Sequence, residues 1–66
     1  MRNPDRLDKF YDELKELHKN NCCDQRFGQF CSNIFGWIMA IKGIDVFFPE
    51  EEQMMELIKE YFKESK

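Results

Sequence analysis

An all-α fold is what this sequence predicts: a compact three-helix domain whose middle helix is rich in aromatics. Three observations carry that expectation. Apolar residues recur in steps of three and four along three segments, residues 4–19, 24–42 and 49–64. Asn, Gly and Pro punctuate the two breaks between them. No run alternates with the period of a strand over a useful length, Val46 to Phe48 having only a weak claim.

The first stripe is Leu7, Phe10, Tyr11, Leu14 and Leu17, closed by His18. That spacing puts them on one face of an amphipathic helix. Asn3 suits the cap, Pro4 the first helical position and Asp5 the positive end of the helix dipole. Lys15 and Lys19 lie toward the other end, where Asn20-Asn21 offers the left-handed conformation that stops a helix.

Asp24 is the expected cap of the second helix, whose stripe is Phe27, Phe30, Cys31, Ile34, Phe35, Ile38 and Ile41. At about 100° per residue, Trp37 and Met39 widen this apolar arc to about 200°. A surface helix needs a stripe only about half as wide, so this helix is expected to be central and touched on two sides. Lys42-Gly43 ends it. Gly28, Ser32, Gly36 and Ala40 also recur every four residues. A glycine inside a helix costs about 1 kcal/mol against Ala, so the series reads as a helix-packing ridge. Another helix, or Phe47 and Phe48, is expected to lie close across it; the sharper alternative is that the ridge docks a partner or a second copy.

The second connection is "IDVFFPEEE". Pro49 fits the first turn of a third helix, and Glu50, Glu51 and Glu52 complement its dipole. Its stripe is Met54, Met55, Ile58, Tyr61 and Phe62, with Leu57 on the flank.

Asp5-Arg6 near the start, Asp24 with Arg26-Phe27-Gly28-Gln29, Asp45 with Phe47, and the acidic run Glu50 to Glu52 together form a pattern. It resembles a family of small helical proteins of bacteria and their phages. That family has Asp-Arg, then Pro-Asp-x-Arg-Phe-Gly-Gln, then Asp-x-Phe before an acidic run and a Leu/Ile-rich helix. Cys23 stands where the pattern has Pro, and Glu51-Glu52 where it often has Asp-Asp. The resemblance implies a helical fold and a bacterial or phage origin, and it attaches no activity.

Length and charge narrow the function classes. Sixty-six residues allow one domain, taken as residues 1–66. A chain this short buries only about 60% of the surface it exposes when unfolded, so its large apolar side chains are wanted for folding. The ten aromatic residues give the greatest burial per residue. The net charge of −3 comes wholly from residues 49–66, where six Glu face three Lys. No basic stripe of the kind that displaces counterions from nucleic acid is present. The start carries no apolar secretory core, and the apolar-rich Phe27–Ile41 is too short and too polar to span a bilayer. The expected location is cytoplasmic, which three cysteines without an export signal also fit.

Chemistry-bearing constellations are sparse. His18, Cys22, Cys23 and Cys31 are zinc-ligand types, but two are adjacent, one falls on the apolar face, and no Cys-x-x-Cys pair exists. Cys22 and Cys23 fall in a loop, where exposed thiols oxidise readily. A Cys–His nucleophile would need a concave, water-excluding pocket that so small a domain has little room to build. The sequence therefore reads as a non-enzyme without metal or cofactor, a small intracellular module that binds another protein. Arg26, Trp37, Phe47, Phe48 and Met54 are the candidate contacts, being types enriched at interfaces. A DNA-associated regulator is the alternative from another class, and a thiol-redox or metal protein a remote third. A monomer is narrowly favoured over a homodimer, because the acidic third helix would repel its copy at a seam.

Overall fold

In a computed structural model, which describes residues 3–64, three helices follow one another: α1 (Arg6–Asn21), α2 (Phe27–Trp37) and α3 (Glu51–Glu64). A π-helical turn, Ile38–Lys42, continues α2. Residues 1, 2, 65 and 66 of the expected domain lie outside the described residues. Among the described residues no strand forms, and Val46–Phe48 is a turn.

The helix ends depart from expectation in ways the backbone explains. Asn3 and Pro4 precede α1. The Asn3 Oδ1 accepts the Asp5 N–H at 2.9 Å, and successive i to i+3 bonds into Asn3, Pro4 and Asp5 carbonyls wind the chain into the helix. Asn20 and Asn21 stay helical rather than turning left-handed, and the Asn21 side-chain amide donates to the Leu17 carbonyl at 2.9 Å. The helix instead ends with the Cys22 N–H donating to the His18 carbonyl at 3.1 Å, without a positive φ. The cap of α2 is Arg26, not Asp24. Its N–H donates to the Gln29 side-chain carbonyl at 3.2 Å, which is the returning half of a capping box. Gly43, at φ 66°, closes the helical run in the left-handed region that only glycine enters cheaply.

The expected helix over 24–42 is therefore corrected twice: it starts later, and its last turn is π. The wider turn changes which side chains point inward. Ile38 is wholly buried, while Met39 and Ile41 are exposed. Ile41 was expected in the apolar stripe; the π turn rotates it out. Phe27 is also exposed, being the first residue of α2, with no preceding turn beside it.

The core is Phe30, Ile34 and Ile38 from the second helical run against Met54, Met55, Leu57, Ile58 and Phe62 from α3. Phe30 touches both neighbours, stacking on His18 of α1 and lying 6.0 Å from Phe62 of α3. No residue of α1 is buried; Phe10, Leu14 and Leu17 pack half-buried against the core. Among the described residues, three ion pairs fasten α3 to the rest. Arg6 bonds Glu51 and Glu13 bonds Lys59, both at 2.7 Å, and Lys42 bonds Glu60. The Lys59 ammonium, donating to Glu13, holds that carboxyl below its usual range. Being partly exposed, such pairs fix register more than they stabilise.

Candidate functional site

The connection from the π turn to α3 holds its place at both ends. Ile44 and Val46 are half-buried and pack against the core. Between them Asp45 organises a turn: its backbone carbonyl accepts the Phe48 N–H at 3.2 Å, and its Oδ1 accepts the Phe47 N–H at 3.0 Å. This is the Asx arrangement, in which a side-chain carboxylate stands in for a backbone acceptor. With the backbone engaged, both aromatic rings point outward, Phe47 at 90% exposure and Phe48 at 80%. Pro49, of fixed φ, and the Glu50 carbonyl, which accepts from Met54 at 2.8 Å, then lead the chain into α3.

Of the five residues proposed from sequence as contacts, the structure brings only some together. Phe47 and Phe48 are adjacent, outward and ordered by Asp45. Met54 is buried in α3 and belongs to the core, so it is withdrawn as a contact. Trp37 is half-buried, its ring edge-to-face with Tyr61 at 5.7 Å. Arg26 is exposed but caps the opposite end of α2 from Trp37. Eleven residues at 1.5 Å each put about 16 Å between those ends.

The ridge of Gly28, Ser32, Gly36 and Ala40 is corrected too. All four are exposed, and a Cβ placed on Gly28 or Gly36 meets nothing within 4 Å. The buried face, Phe30-Ile34-Ile38, points the other way round the helix, and among the described residues no other helix crosses the ridge. Gly36→Ala is accordingly expected to raise stability, by up to about 1 kcal/mol from helix propensity. In a domain of this size that is a rise of about 4–8 °C in melting temperature. A lower melting temperature by circular dichroism would show the face to be covered in solution.

Tyr11, Phe27, Met39 and Ile41 are also exposed, and sequence reasoning placed none of them on an open surface. Their signal was hidden because each matches the helical stripe. Only the helix start at Phe27 and the π turn reveal where the stripe stops.

The thiol and imidazole groups have structural positions. The His18 ring stacks on Phe30, 4.1 Å between centroids and 8° from parallel. Its Nε2 lies 2.8 Å from the Gln25 carbonyl, which only accepts, so Nε2 carries the proton and donates. Cys22 packs half-buried against the core rather than standing open in a loop. Burial, with Cys23 beside it, pushes the Cys22 thiol up, and burial alone pushes up Cys31. Raised thiols are poor nucleophiles. Exposed Cys23 should therefore be alkylated first by iodoacetamide near neutral pH, with Cys22 and Cys31 lagging in peptide mapping by mass spectrometry. Labelling of Cys31 as fast as Cys23 would contradict that packing. Among the described residues no group of three or more His, Cys, Asp or Glu is placed to hold a metal ion.

An open groove of about 690 Å³ between α1 and α3 is lined by Arg6, Lys9, Glu13, Glu51, Glu52 and Lys59 among others. Its walls are joined by the Arg6–Glu51 and Glu13–Lys59 pairs, so these four charges already meet each other. No described helix is long and apolar enough to cross a membrane. No protein-family model matches the chain, and no curated protein or solved structure matches it.

Proposed function

We propose that this protein is a small interaction module that binds another protein, with Phe47 and Phe48 as its anchor. One observation carries the reading: two adjacent phenylalanines are almost fully exposed on a turn whose backbone is already fixed by Asp45. Exposed rings on a mobile loop would lose ordering entropy on binding; a pre-organised turn avoids much of that cost. A domain this short has every reason to bury its aromatics, which makes their outward position informative. Trp37, half-buried at the end of α2 with its ring edge-to-face on Tyr61, is the supporting contact. The role is non-catalytic, with no cofactor, and the setting cytoplasmic. A bacterial or phage origin is part of the reading and rests on the motif resemblance.

The test compares the intact chain with a Phe47→Ser/Phe48→Ser variant, each immobilised and exposed to a bacterial lysate. Exposed substitutions of this kind shift stability by only about 0.5 kcal/mol, so both should melt alike. A protein held in stoichiometric amount by the parent and lost with the variant is the expected outcome. Identical captures from both would overturn the proposal.

A further inference from the structure

We draw no further inference here: the strongest candidate, the outward face of α2 where Gly28, Ser32, Gly36 and Ala40 stand exposed, is an unpartnered small-residue stripe, and nothing in the structure shows what covers it.

Discussion

Ile38→Ala is expected to leave most of the chain unfolded at room temperature. Ile38 is wholly buried at the junction of α2 with the π turn, in the cluster that contains Phe30, Ile34 and Ile58. Removing a buried Ile side chain to Cβ costs about 2–5 kcal/mol, part from lost transfer energy and part from the cavity left behind. A core in a chain of this size rarely supplies more than about 3–5 kcal/mol. The loss thus consumes most of the stability. Urea titration followed by far-ultraviolet circular dichroism should show a midpoint collapsed toward zero. The companion variant, Ile41→Ala, gives the result its structural meaning. Three residues on, Ile41 would share the core face if the α-helix ran on unbroken; the π turn leaves it 63% exposed. Its truncation should cost under about 0.5–1 kcal/mol. Equal costs at the two positions would mean that the helix is α throughout.

That pair also marks where sequence reasoning stopped. Three helices were legible because Leu7 to Leu17, Phe30 to Ile38 and Met54 to Phe62 keep a helical period that no strand could satisfy. The stop at Gly43 was legible because glycine there has a specific conformational use, seen in its φ of 66°. The π turn was not, since no residue type demands one and Ile38-Met39-Ala40-Ile41 reads as ordinary α-helix. The ridge failed for a related reason. Four small residues at four-residue spacing are required where helices approach closely, but they are also permitted where nothing approaches. Spacing cannot separate those two cases; only the partner helix can.

The candidate site was half legible. Phe47 and Phe48 stood out because they are of a type enriched at interfaces and sit in a connection that so short a chain has little left to cover, and they are exposed. Met54, only a few residues later, was grouped with them by proximity in sequence. Once α3 starts at Glu51, Met54 falls on the same face as Ile58 and is drawn into the core. The role of Asp45 was missed, although an Asp two residues before the phenylalanine whose N–H it accepts is a readable Asx signal.

Phe30→Ala is the second substitution with a large expected effect, and its consequences should centre on α1. That helix has no buried residue of its own. It is held by half-buried Phe10, Leu14 and Leu17, by two partly exposed ion pairs to α3, and by His18 lying flat on the Phe30 ring. Partly exposed pairs contribute little, and the stacked ring is a direct contact of α1 with the fully buried part of the core. Truncating Phe30 removes that contact and opens a cavity facing Phe62, at a cost of about 3–5 kcal/mol. Amide exchange by mass spectrometry should show α1 losing protection before the Met54–Phe62 stretch of α3. A thermodynamic cycle isolates the stack: Phe30→Leu, which keeps the cavity filled, is combined with His18→Ala. Ring pairs couple by about 0.5–1.5 kcal/mol beyond area burial, so His18→Ala should cost measurably less once Phe30 is Leu. A cost unchanged by that substitution would assign His18 to its hydrogen bond with the Gln25 carbonyl alone. Uniform loss of protection over all three helices would make α1 an equal member of the core rather than its most loosely seated helix.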